Sequence, residues 1–301
     1  AVNYYEELAV PQQDHYYTYP RLVARKAYMK SMDVKRGPVH INVPLFEPLV
    51  PELDRKHFEC GRQPFSVVPA AIQPGDVCTI YDLLANKKVL ILAGPSTNLE
   101  DADAILGLSN IFHAPILADP LSNMRRVYDE RVITSYDALL SQAVYRDTLR
   151  PDCILQIGQM VVSKRVQQWV ASMQHIPIIS VSPTMDYTNP AGNTTLFVQS
   201  TPQGLVDALK IQIPELHVMA NEVHVEVADE ELVTEDNGYL ATWIDADGVG
   251  RKQLDTVARE QELFEGYTIH LLQELLPKNS QLVVANSMSI RDMDYFWSGN
   301  R

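Results

Sequence analysis

Five short apolar segments, separated by stretches with helical spacing, are the feature that most limits the folds open to this chain. They lie at residues 89–93, 114–118, 153–157, 176–181 and 195–198. Such short, uniformly apolar runs are typical of parallel strands that are covered on both faces of a sheet. The sequence therefore predicts an α/β fold, with a Rossmann-like parallel-sheet central domain over residues 78–215.

Helical spacing and capping residues place helices between these predicted strands. We expect them at residues 99–110, 135–140, 164–172 and 202–209. Thr201 followed by Pro202 is a typical helix start, because a hydroxyl caps the first N–H groups and proline fits the first helical position. A further helix is predicted over residues 19–32, ahead of the central domain.

Proline-rich and acidic stretches divide the chain. Residues 39–43 alternate as a strand should and end at Pro44, and five prolines follow between residues 48 and 74, as in an interdomain linker. Residues 239–276 have a helical pattern, and 282–285 and 223–227 are further predicted strands. The resulting division is a first domain ending within 1–50, a linker at 51–77, the central domain at 78–215, a linker at 216–238, and the start of another domain at 239–301.

The charge and composition exclude several classes of protein. Of 301 residues, 46% are hydrophobic, 25 are Lys or Arg and 38 are Asp or Glu, which gives a formal net charge of −13. This charge opposes attraction to a nucleic-acid backbone or an anionic membrane surface. Neither a membrane-spanning run nor a signal peptide is recognisable, and three widely spaced cysteines indicate neither disulfides nor a metal site. We expect a cytoplasmic protein without nucleic-acid or membrane partners.

The turn after the first predicted strand of the central domain differs from a dinucleotide-binding turn. Residues 94–98 read GPSTN, with one glycine where GxGxxG has three. Pro95 also removes a backbone donor, so the turn lacks the close backbone approach that a pyrophosphate requires. We do not expect NAD or FAD to bind here.

Polar residues follow two predicted strands. Asn286, Ser287 and Arg291 come after 282–285, and a bend into a helix would turn this amide, hydroxyl and guanidinium toward one crevice, where they suit a carboxylate. The alternative is a helix capped by Ser287 and a surface ion pair between Arg291 and Asp292. The same two interpretations apply to Ser163, Lys164 and Arg165, which follow the strand at 153–157.

Four segments together resemble one enzyme family. They are residues 37–51 (GPVHINVPLFEPLVP), 117–125 (LADPLSNMR), 149–164 (LRPDCILQIGQMVVSK) and 286–294 (NSMSIRDMD). In this order they resemble the MenD family, the thiamine-diphosphate-dependent 2-succinyl-5-enolpyruvyl-6-hydroxy-3-cyclohexene-1-carboxylate synthases of menaquinone biosynthesis. Asp119 and Ser122 of the second segment follow a strand end, where turn and capping roles explain them.

The resemblance implies a three-domain architecture of which this chain carries a part. The central domain would be flanked by partial α/β thiamine-diphosphate-binding domains, namely the end of a pyrimidine-binding domain and the start of a pyrophosphate-binding domain. The family's activating Glu would lie before Ala1 and its GDG motif after Arg301. We therefore expect a fragment lacking both ends and inactive by itself.

The resemblance also implies a reaction, cofactors and site residues. The family decarboxylates 2-oxoglutarate on thiamine diphosphate with Mg²⁺ or Mn²⁺, adds the succinyl unit to isochorismate, and works as a homodimer or homotetramer. Both substrates are dicarboxylates. The resemblance assigns Lys164, Arg291 and Arg301 to substrate carboxylates, and Asn286 and Ser287 to contacts near the cofactor-bound intermediate.

Two alternatives remain open. Another thiamine-diphosphate enzyme, related to acetohydroxyacid synthase, would be distinguished by an FAD-binding central domain. A non-catalytic binding module built on the Rossmann-like layer would be distinguished by tight nucleotide binding to residues 78–215.

Overall fold

A computed structural model gives the fold of the chain. The described residues are 2, 4–9, 18–32, 38–45, 66–68, 72, 74–95, 101–184, 187, 189–212, 237–260, 264–277 and 280–299. The strands are β1 (Tyr4–Glu7), β2 (Val39–Asn42), β3 (Ser66–Val68), β4 (Val89–Ala93), β5 (Ile116–Ala118), β6 (Val132–Ile133), β7 (Cys153–Ile157), β8 (Ile178–Ser182) and β9 (Leu196–Gln199).

Helices fill most of the connections between these strands. They are α1 (Thr18–Met32), α2 (Pro74–Leu84), α3 (Asp101–Phe112), α4 (Tyr136–Leu139), α5 (Ala143–Thr148), α6 (Lys164–Ser172), α7 (Pro202–Gln212), α8 (Tyr239–Glu260), α9 (Glu265–Leu275) and α10 (Met288–Phe296). A short 3₁₀ helix covers Met124–Arg126. None of the helices in these ranges is long and apolar enough to cross a membrane.

The predicted α/β architecture is confirmed. Seven parallel strands form one sheet in the order β3-β9-β8-β7-β4-β5-β6, with registers such as Ile91 opposite both Ile116 and Leu155. The order reverses at β4, because β5 lies on one side and β7 on the other. In open α/β sheets, ligands bind beyond the carboxyl ends of strands at such a reversal.

Strand β4 shows why the sheet is covered on both faces. Val89 and Ile91 are buried against α2, α3 and α7, whereas Leu90 and Leu92 are buried against α4, α6 and α8. Successive strand side chains point to opposite faces, so an uninterrupted apolar run requires two apolar layers.

Two polar contacts fix helices around this sheet. The Oγ1 atom of Thr201 accepts a hydrogen bond from Gly204 N at 3.0 Å, which confirms the predicted cap of α7. On the other face, buried Asp247 of α8 accepts hydrogen bonds from Thr134 N at 3.0 Å and Ser135 N at 2.8 Å. Helix α8 is thereby attached to the segment that follows β6.

The chain ahead of the central sheet forms a small unit of its own. Strands β1 and β2 pair in parallel, with Tyr5 opposite His40. Helix α1 contacts the central sheet, because Met29 packs against Tyr187 and Phe197. The strand predicted at residues 39–43 is therefore confirmed as β2. Its partner β1 was not predicted.

One predicted strand is not formed. Residues 282–285 have no strand hydrogen bonding within the described part of the chain, and Val283 is 95% exposed. A strand requires a neighbouring strand to satisfy its N–H and C=O groups, and sequence pattern alone does not supply that neighbour. The strand predicted at 223–227 lies outside the described residues.

Candidate functional site

A cavity of about 740 Å³ lies between the first turns of α6 and α10. Four of the five predicted site residues line it, namely Lys164, Asn286, Ser287 and Arg291. Arg301 lies outside the described residues. Two segments that are far apart in the sequence therefore meet at one cavity.

Helix α6 brings two cations to this cavity. Ser163 caps the helix by accepting a hydrogen bond from Val166 N at 3.2 Å, and Lys164 and Arg165 are its first two residues. The first turn contains no acidic residue. Cations at a helix N-terminus oppose the helix dipole by about 0.3–1 kcal/mol each, so an anion bound here would remove an unfavourable interaction.

Helix α10 begins at a strained turn. Ser287 has φ 70° and ψ −124°, which is unusual for a residue with a side chain, and its hydroxyl makes no capping hydrogen bond. The alternative in which this hydroxyl caps the helix is therefore wrong. The side chain lines the cavity instead.

The two carboxylates that line the cavity already have cationic partners. Asp137 accepts hydrogen bonds from Ser163 Oγ and from Arg165 Nη1. Asp294 forms a buried ion pair with Arg125 Nη2. Burial raises the pKa of Asp294 to about 6, because desolvation outweighs the opposing effect of Arg125. At neutral pH Asp294 is thus charged, and both carboxylates have a cationic partner.

Lys164 and Arg291 also line the cavity, but they have no carboxylate partner among the described residues. Within the described ranges, neither Lys164 nor Arg291 forms an ion pair with a carboxylate, and both side chains are exposed. The predicted alternative of an Arg291–Asp292 surface pair is not formed. Arg291 Nη1 lies 3.6 Å from the sulfur of Met288. The site therefore presents uncompensated positive charge in a protein with an acidic composition.

A buried network that reaches from the cavity wall into the protein was not predicted. Arg125 and Asp294 are 169 positions apart, and Tyr136 donates a hydrogen bond to Asp294 Oδ1 at 2.6 Å. Burial raises the pKa of Tyr136, so this phenol stays protonated. Arg125 and Asp294 are each the last residue of a segment that carries the family resemblance, and this was the only sequence signal for either residue. The sequence around each of them does not indicate that the two form a pair.

Protein backbone packs closely against Gly94, the first residue after β4. A Cβ atom at Gly94 would overlap the carbonyl oxygen of Gln159, so the chain after β7 packs directly onto this turn. A dinucleotide-binding fold keeps this space for the pyrophosphate. The described residues also contain no cluster of three His, Cys, Asp or Glu side chains suited to a metal.

Comparisons with known proteins identify the family of this chain. A family model described as "Middle domain of thiamine pyrophosphate" matches residues 78–284. Three similar relatives are each named 2-succinyl-5-enolpyruvyl-6-hydroxy-3-cyclohexene-1-carboxylate synthase. The protein of Lactococcus lactis subsp. cremoris (strain SK11) is 38% identical over 300 residues, which cover 98% of this chain and 50% of the relative.

Two more distant relatives give the same coverage. The protein of Desulfitobacterium hafniense (strain DSM 10664 / DCB-2) is 34% identical over 99% of this chain and 50% of its own length. That of Bacillus pumilus (strain SAFR-032) is 32% identical over 98% and 49%. The chain spans about half the length of these curated relatives. It belongs to the thiamine pyrophosphate enzymes that carry this middle domain, and the predicted resemblance to the MenD family is confirmed.

Proposed function

We propose that this chain forms the substrate-binding side of a menaquinone-biosynthesis synthase. The whole protein would decarboxylate 2-oxoglutarate and add the succinyl unit to isochorismate, giving 2-succinyl-5-enolpyruvyl-6-hydroxy-3-cyclohexene-1-carboxylate. The observation that carries the proposal is the meeting of Lys164 and Arg291 at one cavity, where neither has a carboxylate partner among the described residues. The names of the similar relatives support the same reaction.

The cofactor would supply the carbon chemistry, and the chain's residues would bind and orient the substrates. Thiamine diphosphate, bound with Mg²⁺ or Mn²⁺, provides the electron sink that allows a 2-oxo acid to lose carbon dioxide. The described residues include no cluster of three His, Cys, Asp or Glu side chains suited to a metal.

Each cavity group has a defined role in this proposal. Arg291 would hold one carboxylate through two parallel hydrogen bonds, because the planar guanidinium matches the two carboxylate oxygens. Lys164 would meet a second carboxylate as a point charge, assisted by the positive end of α6. The Asn286 amide and Ser287 hydroxyl would donate hydrogen bonds to further substrate oxygens. Arg301 is proposed as an additional carboxylate ligand on the resemblance alone.

The test measures turnover by the full-length protein with isochorismate, 2-oxoglutarate, thiamine diphosphate and Mg²⁺. We expect Lys164→Met and Arg291→Met each to raise KM for one dicarboxylate by about tenfold or more, the effect of losing roughly 1.4 kcal/mol of binding. Lys252→Met, on an exposed position of α8, is the matched control and should leave both KM values unchanged.

Two results would contradict the proposal. If isochorismate is not consumed while pyruvate is, the acetohydroxyacid-synthase-like alternative is favoured. If both site variants behave like Lys252→Met, the cavity is not the dicarboxylate site.

The quaternary state and location complete the proposal. We propose a cytoplasmic homodimer or homotetramer, on the basis of the family resemblance. Light scattering on the purified full-length protein tests this assembly, and a monomeric mass at working concentration would contradict it.

A further inference from the structure

The 117–125 segment (LADPLSNMR) contacts both chain segments that carry the unpaired cavity cations. It runs from β5 through a turn into the 3₁₀ helix at Met124–Arg126. Asp119 in this segment is fully buried, and Arg125 is 3% exposed. Neither side chain lines the cavity, so both lie behind its wall.

Asp119 attaches this segment to the start of α6. One carboxylate oxygen accepts a hydrogen bond from Leu121 N at 2.8 Å, which confirms the predicted turn role. The other oxygen accepts a hydrogen bond from Val162 N at 2.6 Å. Val162 is two residues before Lys164, so the Asp119 carboxylate fixes the loop that leads into α6 and its first residue, Lys164. Asp119 therefore has a second role beyond the turn, because it also binds the segment before α6.

Arg125 attaches the same segment to the end of α10. Its Nε donates to Ala118 O at 2.8 Å, and its Nη1 donates to Met293 O at 3.0 Å, Asp294 O at 2.9 Å and Trp297 O at 2.7 Å. The last carbonyls of a helix have no partner within the helix, and a cation there also suits the helix dipole. The guanidinium therefore caps the helix that carries Arg291.

An ion pair completes this attachment. Arg125 Nη2 donates to Asp294 Oδ1 and lies 3.4 Å from the hydroxyl of Tyr136. Replacing a buried ion pair by apolar residues is often neutral or stabilising, so such a pair is weak evidence for a role in stability. The contacts of Arg125 are nonetheless directional and reach two separate elements. They define where α10 lies relative to β5.

We propose that Asp119 and Arg125 are positioning residues that set the separation of Lys164 and Arg291, and thereby the length of dicarboxylate that the cavity accepts. This inference rests on the proposed function for its substrate class. Carboxylate recognition depends on geometry within about 1 Å, so a small movement of α10 relative to α6 changes which chain length spans the two cations.

The first test compares substrates of different length in the full-length protein. The ratio of kcat/KM for 2-oxoglutarate to that for the one-carbon-longer 2-oxoadipate is measured for Arg125→Lys and Asp119→Asn. We expect each variant to lower this ratio at least fivefold, because a displaced cation no longer selects the shorter acid. If a variant only contained less folded protein, the kcat/KM values for both acids would fall by the same factor and their ratio would not change.

Matched controls are available elsewhere in the fold. Asp247→Asn alters another buried carboxylate that accepts two backbone hydrogen bonds, and Arg131→Lys alters another arginine paired with an aspartate, Asp129. Neither Asp247 nor Arg131 contacts the segments that carry Lys164 and Arg291 through the bonds observed. We expect both controls to keep the substrate ratio of the unchanged protein.

The second test does not depend on turnover. Spin labels at Gln168→Cys in α6 and Ser289→Cys in α10, in a background with Cys60 and Cys78 replaced by serine, report the distance between the helices. Arg125→Lys should shift or broaden the distance distribution, and Asp247→Asn should not. An unchanged distribution would overturn the positioning role even if 2-oxoglutarate is not a substrate.

The two tests separate the two proposals. A changed distance with an unchanged length ratio would overturn the control of substrate length. Failure of the unchanged protein to use 2-oxoglutarate would overturn the proposed function, while the distance measurement would still decide the positioning role.

Discussion

Arg165 donates a hydrogen bond from Nη1 to the hydroxyl of Tyr295 at 2.7 Å, and so joins the first turn of α6 to the last turn of α10. The same nitrogen contacts Asp137. Both side chains line the cavity, so this bond links the helices at the cavity wall, whereas Arg125 and Asp119 fix them from behind.

Removing the phenol hydroxyl tests this link. Tyr295→Phe should lower the free energy of unfolding by about 0.5–1.5 kcal/mol, the usual net effect of one hydrogen bond. It should also weaken dicarboxylate binding, because Arg165 is then oriented by Asp137 alone. Urea unfolding and substrate KM values check both effects. Tyr128→Phe is the control, since Tyr128 is 85% exposed, and equal behaviour of the two variants would contradict the prediction.

The strained turn before α10 makes a second prediction. Ser287→Gly should raise the free energy of unfolding by about 1 kcal/mol, because glycine adopts φ 70° without steric cost. Ser287→Ala keeps a Cβ atom and should give no such gain. Both variants lose the hydroxyl and should show a higher KM for a substrate. Equal melting temperatures for the two variants would show that no strain is relieved.

The ion pair between Arg125 and Asp294 predicts how stability depends on pH. Asp294 has a pKa of about 6 in the folded protein against an ordinary value of 3.8, because burial outweighs Arg125 and Tyr136 and the acidic Asp119 and Asp137 add to the shift. Between these two values the folded state holds a proton that the unfolded state lacks. The contribution of Asp294 to stability is therefore present below about pH 4 and is lost as pH rises to about 6.

The corresponding measurement is urea unfolding at pH 4.5, 5.5 and 7. The folded and ordinary pKa values of Asp294 differ by about 2, which corresponds to a change of at most about 3 kcal/mol in the free energy of unfolding. Asp294→Asn has no titrating group and should lack this decline in the free energy of unfolding, whatever its absolute stability. Asp207→Asn, at an exposed position of α7, should retain it. An unaltered slope in Asp294→Asn would rule out the assignment.

Two glycines of α8 give a matched pair for stability. A Cβ atom at Gly250 would overlap the hydroxyl of Ser135, whereas nothing lies within 4 Å of one at Gly248. Gly250→Ala should therefore cost about 1–3 kcal/mol of stability through overpacking. Gly248→Ala should add about 0.5–1 kcal/mol, the ordinary helix preference for alanine. Thermal unfolding compares them, and a gain from both would mean that α8 does not pack closely on Ser135.

Much of the sheet follows from local sequence. Strands β4 and β7 have the bounds that their apolar runs predict, and α6 begins at Lys164 because Ser163 caps it. The short strands β3 and β6 were missed, since two or three residues carry no recognisable period. They exist because the edges of a larger sheet offer them hydrogen-bond partners.

For the candidate site, too, some features follow from the sequence and others only from the tertiary structure. The sequence by itself determined which residues could bind a carboxylate, because an amide, a hydroxyl and cations stand at the ends of predicted strands and in segments typical of one family. Only the tertiary structure decided that Lys164 and Arg291 share a cavity, that Arg125 pairs with Asp294, and that residues 282–285 stay unpaired. The first two outcomes depend on residues more than a hundred positions apart, and the third on the lack of a neighbouring strand, so local patterns contain neither.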